Sequence, residues 1–158
     1  MELSKQIRSL EELENFSKLL IKSLKPNTFL LLEGELGVGK TTLAQLIAKN
    51  LGIKEKITSP TFNILQRHQI NNDHYLNHFD FFRLNPNDNL EIFQELTTDN
   101  LNIIEWPNQN PQFWQKERYI KIKLVKQNSE ARIITLNVLY SLENSSMIDI
   151  LNFFSPKN

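Results

Sequence analysis

The chain has 158 residues, 40% apolar and 23% charged, and its 18 Lys and Arg balance its 18 Asp and Glu. A chain of this size buries roughly two-thirds of its unfolded surface in one core, so a single domain over residues 1–158 is expected, and the balanced charge argues against a direct nucleic-acid binder. The absence of cysteine excludes a disulfide framework, a thiol nucleophile and Cys-ligated zinc.

The opening MELSKQIRSLEELENF is charged throughout and has no apolar h-region of a signal peptide. No apolar run reaches the roughly 18 residues of a membrane span. The expected setting is the cytoplasm, with no membrane partner. The first predicted helix follows Ser9, a capping residue with Glu12 three positions on to complete a capping box. Leu13, Phe16, Leu20 and Leu24 keep helical spacing, and Pro26 lies beyond the stop. TFLLLE, residues 28–33, is the short, continuous apolar run of a strand buried on both faces.

Three of the chain's four glycines then fall within six positions: Gly34, Gly37 and Gly39. Gly34-Glu35-Leu36-Gly37-Val38-Gly39-Lys40-Thr41 satisfies the phosphate-binding pattern G-x-x-x-x-G-K-[ST]. It also has the context this pattern requires, a buried strand before it and an amphipathic helix after it. A loop that wraps a triphosphate with backbone N–H groups needs conformations that a Cβ penalises. The helix behind it adds unpaired N–H groups and a positive dipole end. On this reading residues 35–42, Glu35, Leu36, Gly37, Val38, Gly39, Lys40, Thr41 and Thr42, hold the phosphates of ATP. Lys40 faces the β- and γ-phosphates and Thr41 ligates Mg²⁺. The helix carries Leu43, Leu46, Ile47 and Leu51 on one face, with Gly52 suited to its C-terminal cap.

TFNILQRHQI and HYLNHFDFF flank NND as a hairpin or loop, NDNLEIFQEL reads as helical with Asp88 near its start, and LNIIE is a further apolar strand stopped by Trp106 and Pro107. Asp80 and Glu105 close two of these strands, where open α/β sheets place ligand groups. A P-loop needs such carboxylates, one to hold Mg²⁺ and one to orient the attacking water. The alternative for either is a carboxylate that caps a loop N–H or pairs with Arg83. His78, two residues from Asp80 on the same strand face, is expected to orient that carboxylate. His74 and His78 lie four apart on a strand with no third spaced ligand, which argues against zinc. YIKIKLV and ARIITLNVL flank KQNSE as a closing hairpin, with Ile120, Ile122 and Leu124 on one face and Lys121 and Lys123 on the other. Lys121, Lys123 and Lys126 read as a solvated strip or a contact for an RNA-bearing complex. The tail from residue 144 to 158 is ambiguous. The expected fold is an α/β P-loop NTPase, with a central, mainly parallel sheet flanked by helices and an antiparallel C-terminal hairpin.

In this order GELGVGKTT, SPTF (59–62), HFDFFRL (78–84) and IIEWP (103–107) resemble the TsaE, or YjeE-type, ATPase family, as do the capped first helix and the EAR of residues 130–132. The P-loop alone is generic, whereas S-P-T-F, H-x-D-x-x-R and E-W-P at these separations are specific. The resemblance implies a bacterial ATPase, weak in isolation, that works with the TsaB and TsaD proteins in threonylcarbamoyladenosine modification of tRNA, touching tRNA only through that complex. It implies Lys40 and Thr41 as phosphate and Mg²⁺ residues, Glu105 as a metal-site carboxylate and Asp80 as an active-site acid. The family's common DLYR is DFFR here, so Phe82 lacks a tyrosine hydroxyl. Thr61 in SPTF reads either as a switch threonine facing Mg²⁺ or the γ-phosphate, or as a turn before a strand. Arg132 approaches the nucleotide or a partner, and Trp106 belongs to an interface, the nucleotide site or the core. Two other functions fit the motif: a small P-loop kinase acting on a metabolite, and a nucleotide-sensing binding module with scarcely any turnover. The kinase would need clustered lid arginines, and the five here (Arg8, Arg67, Arg83, Arg118, Arg132) are scattered.

Overall fold

The computed structural model describes residues 2–60, 63–138 and 144–155. Seven strands form one sheet: β1 Glu2–Ile7, β2 Thr28–Glu33, β3 Leu65–Gln69, β4 Tyr75–Asp80, β5 Leu101–Glu105, β6 Arg118–Lys126 and β7 Arg132–Val138. Their order is β1-β7-β6-β2-β5-β4-β3. The four central strands, β6, β2, β5 and β4, run parallel. Antiparallel partners extend both sides, β3 on β4 at one edge and β7 on β6 followed by β1 at the other. The parallel centre and the β6–β7 hairpin match the expected architecture.

Helices α1 Leu10–Ser23, α2 Lys40–Asn50 and α4 Asn144–Phe154 lie with the first core, and α3 Glu91–Thr97 with the second. Strand alternation divides the interior accordingly. Leu30, Leu32, Leu76, Ile103, Ile120 and Ile122 pack with Phe16, Leu20, Leu43 and Ile47. Phe29, Leu31, Phe79 and Ile104 turn to the other face and pack with Phe81, Phe113 and Trp114. β2 is therefore buried on both faces, as its unbroken TFLLL run requires.

The α1 start forms as expected. The Ser9 side chain accepts the Glu12 N–H at 3.1 Å, and the Glu12 carboxylate reaches back to the Arg8 N–H at 2.8 Å, one residue before the usual capping-box partner. α2 ends ahead of Gly52, whose φ of +84° supplies the left-handed turn.

Four features differ from expectation or settle it. The polar segment ELSKQI is an edge strand, with Ile7 opposite Arg132 in β7. Asp88 sits before α3 instead of opening it, and its carboxylate accepts the Asn85 N–H at 2.7 Å. Asn102, inside the apolar LNIIE, is fully buried and accepts from the Asn77 amide at 2.8 Å. The tail, ambiguous in sequence, supplies α4, with Phe153 and Phe154 stacked around Phe16. No described helix is long and apolar enough to cross a membrane.

Candidate nucleotide site

Parallel pairing carries β2, β4 and β5 to one end of the sheet, where their carboxyl ends deliver the loop and both acids together. Asp80 and Glu105 are register partners on β4 and β5, and Leu32 is the partner of Glu105 on β2. The loop leaves β2 at Gly34, with Gly34, Gly37 and Gly39 at φ of +145°, +75° and +117°. A Cβ on Gly34 would meet the Leu124 carbonyl oxygen at 2.5 Å and Val38 Cγ1 at 2.8 Å, so glycine is required there by space as well as by conformation.

Lys40 opens α2 and is only 4% exposed. Its ammonium donates to the carbonyls of Gly34 at 2.7 Å and Glu35 at 2.9 Å, and lies 4.1 Å from the Trp106 ring centre. Burial pulls the ammonium below the ordinary lysine range, while the Glu105 and Asp80 carboxylates pull it back up. The charge is thus inside the loop, facing carbonyls that a more strongly charged acceptor would outcompete.

The Thr41 hydroxyl donates to Glu105, with its oxygen 3.0 Å from Oε1 and 3.2 Å from Oε2. Glu105 is 3% exposed and also lies 2.8 Å from His78 Nε2. The expectation that His78 orients Asp80 is therefore corrected. In parallel strands His78 sits opposite Ile103, and the diagonal neighbour on the same face is Glu105. Asp80 is held differently: Ser59 donates to Oδ2 at 3.1 Å and the Phe82 N–H to Oδ1 at 2.9 Å. This gives Asp80 the loop contacts a cap makes, with half-buried exposure at the sheet end. Ser59 is the residue sequence reasoning missed here; its place at the start of SPTF was the available signal.

Thr61 lies outside the described residues. Arg132 reaches the loop through main chain, its Nε donating to the Val38 carbonyl at 3.0 Å. Thr42, Gly39, Val38 and Arg132 share a cleft of about 390 Å³ with Ile7 and Ser9. Across the loop, a second cleft of about 460 Å³ lies between Glu33–Leu36 and the turn beginning at Trp106. Leu36 stands at the loop's outer tip, 79% exposed. Trp106 occupies the left-handed region at φ +58° and packs on Phe82, ring centres 4.9 Å apart. A bulky residue is strained there, and such strain gathers at functional sites. Of the lysine strip, Lys121 pairs with Glu33 at 3.0 Å and Lys123 lines the second cleft.

The strand order, glycine loop and helix start define a P-loop NTPase fold. The crystal structure of Bacillus subtilis YdiB shares it, with a TM-score of 0.67 and 25% identity over 97% of this chain and 94% of that one. The family model described as threonylcarbamoyl adenosine biosynthesis protein TsaE matches residues 7–134, and the chain belongs to that family. The tRNA threonylcarbamoyladenosine biosynthesis protein TsaE of Rickettsia conorii is 35% identical over 92% of this chain and 85% of its own length. That of Bacillus subtilis is 30% identical over 82% and 81%. The similarity to the Rickettsia felis protein, at 43% identity, spans 61% of this chain and 57% of that protein.

Proposed function

We propose that this chain binds ATP with Mg²⁺ and hydrolyses it slowly in the cytoplasm, in support of tRNA threonylcarbamoyladenosine modification alongside TsaB and TsaD. The observation that carries the reading is the buried Lys40 ammonium, held inside a glycine loop and beside the Thr41–Glu105 pair. Residues 35–42 form the phosphate cradle, and the cleft beside Thr42 and Arg132 is open to the rest of the nucleotide.

The donor set fits Mg²⁺ held largely through a substrate. Among the described residues no group of three His, Asp or Glu gathers, whereas Thr41 Oγ1 and Glu105 offer hard oxygen ligands side by side, the arrangement of a metal shared with phosphates. When bound, Mg²⁺ neutralises charge on the β- and γ-phosphate oxygens. Lys40 supplies the fixed positive charge of the loop. Asp80, with both oxygens already placed by Ser59 and Phe82, orients a water at the strand end. Trp106 covers the Lys40 side and limits water access.

Lys40→Ala and Glu105→Ala test this together. Calorimetry should show a loss of ATP affinity of roughly tenfold or more for Lys40→Ala, since a charge-assisted contact of about 1.5–3 kcal/mol is removed. Glu105→Ala should slow phosphate release in single turnover by roughly a hundredfold while reducing affinity less, as expected of a group acting where charge develops. Unchanged affinity in Lys40→Ala would refute the nucleotide site. Parental release that is already negligible would identify a nucleotide-sensing module instead of an ATPase.

A further inference from the structure

His78 is fully buried, yet it is a polar ring in a strand whose neighbours Leu76 and Phe79 are core. Its Nε2 lies 2.8 Å from Glu105 Oε1, the same oxygen that accepts from Thr41. Among the described residues Nδ1 has no hydrogen-bond partner. A carboxylate accepts, so the Nε2–H donates to Glu105. The ring thus makes a single directed contact, at the cost of one unsatisfied buried atom. A residue kept only for packing would carry no such cost.

The geometry points to His78 as a positioning residue that holds the Glu105 carboxylate against the start of α2, so that Thr41 and Glu105 present their oxygens together to the divalent cation accompanying the nucleotide. This rests on the reading that Glu105 and Thr41 serve that cation. Glu105 closes β5 and its side chain has three torsions that strand pairing does not fix. Among the described residues its carboxylate is held by the Thr41 hydroxyl from the start of α2 and by the His78 ring from β4, so the imidazole fixes it from the side of the sheet. Partners behind a metal ligand typically change metal affinity or activity by roughly 10- to 100-fold when removed.

The experiment measures affinity for a non-hydrolysable ATP analogue with Mg²⁺ and with EDTA, for the parent, His78→Leu, His78→Gln, Glu105→Gln and the His78→Leu/Glu105→Gln pair. His78→Leu should reduce the Mg²⁺-dependent gain in affinity about tenfold while affinity in EDTA stays near parental. His78→Gln, whose amide can donate from a similar position, should recover most of that gain. The pair should be no worse than Glu105→Gln alone, because both act through one carboxylate. A His78→Leu protein with the full Mg²⁺ gain, beside a Glu105→Gln protein that has lost it, would overturn the role of His78 and leave the metal reading standing. Glu105→Gln with an undiminished gain would overturn both. Equal losses in Mg²⁺ and EDTA would show that His78 merely packs the loop. Thermal melts establish that each variant folds, and His78→Met, apolar and without a donor, takes the place of leucine where leucine does not.

Discussion

The Lys40 ammonium is held by two main-chain carbonyls and an aromatic face, in a site where burial disfavours its charge. The free protein therefore loses a proton from Lys40 below the ordinary lysine value of 10.5. In the window just below that value the unfolded chain binds more protons than the folded one, so this group makes stability rise with pH there. Nucleotide binding has the opposite sign. Phosphate charge beside Lys40 restores its proton, so ATP binding takes up a proton at alkaline pH and affinity falls as pH climbs through the lowered value. Calorimetry at alkaline pH in buffers of different ionisation enthalpy should reveal this uptake, and Lys40→Arg, whose guanidinium keeps its charge, should abolish it. Heats independent of buffer in the parent would remove Lys40 from contact with the phosphates. At this scale the P-loop residues were legible because a pattern eight residues long specifies them, and the two acids because each closes a strand ahead of a loop. The partner of His78 was not: Glu105 is 27 residues away, and only the parallel register of β4 on β5 decides which acid the ring meets. The contact of Arg132 with the Val38 carbonyl, across 94 residues, was equally hidden.

Elements become readable where local chemistry and burial agree. TFLLLE, the Ser9–Glu12 cap and the alternating β6 residues each carry their structural signal within a few positions. ELSKQI does not, because its pairing lies with β7, at the far end of the chain, and an edge strand needs little apolar content. The glycines on the two sides of α2 show how two positions with positive φ differ in what they tolerate. Gly34 has the Leu124 carbonyl and Val38 against its open side, while Gly52 faces empty space. Gly52→Ala should cost only the left-handed penalty, roughly 1–2 kcal/mol, and leave ATP binding intact. Gly34→Ala must also push the loop from β6, so it should be the more destabilising in urea, by on the order of 3 kcal/mol, and should weaken nucleotide binding. Equal denaturation midpoints, or full ATP affinity in Gly34→Ala, would contradict this account of the loop.

For the molecule as a whole, the disposition of positive charge bears on what the site achieves alone. Phosphoryl transfer to water requires cationic groups around the γ-phosphate, and an arginine finger adds on the order of a thousandfold or more. Arg132 directs its Nε to the Val38 carbonyl, Arg8 reaches Gln6, and Arg67 reaches Asn77 and stacks on Tyr75. Those three guanidiniums are engaged with the chain itself, and Lys40 is held inside the loop. The exposed Leu36 and the Phe82–Trp106 pair lie around the same mouth, on the side where the Lys123-lined cleft opens. On the proposed function, a partner seated there acts directly on the γ-phosphate side by supplying a cation. The TsaB–TsaD pair should then raise ATP turnover severalfold over the isolated chain. Coupling between two ligands is reciprocal, so whichever nucleotide state strengthens partner binding is itself bound more tightly in the complex, and ATP should be favoured over ADP. Steady-state phosphate release with and without the pair, beside partner affinities in each nucleotide state, measures both sides of that coupling. Lys123→Ser, on the same cleft and outside the phosphate loop, should reduce the stimulation while sparing turnover of the isolated chain. Equal turnover with and without the pair, and equal affinities in ATP and ADP, would detach the nucleotide cycle from the partners and refute the coupling.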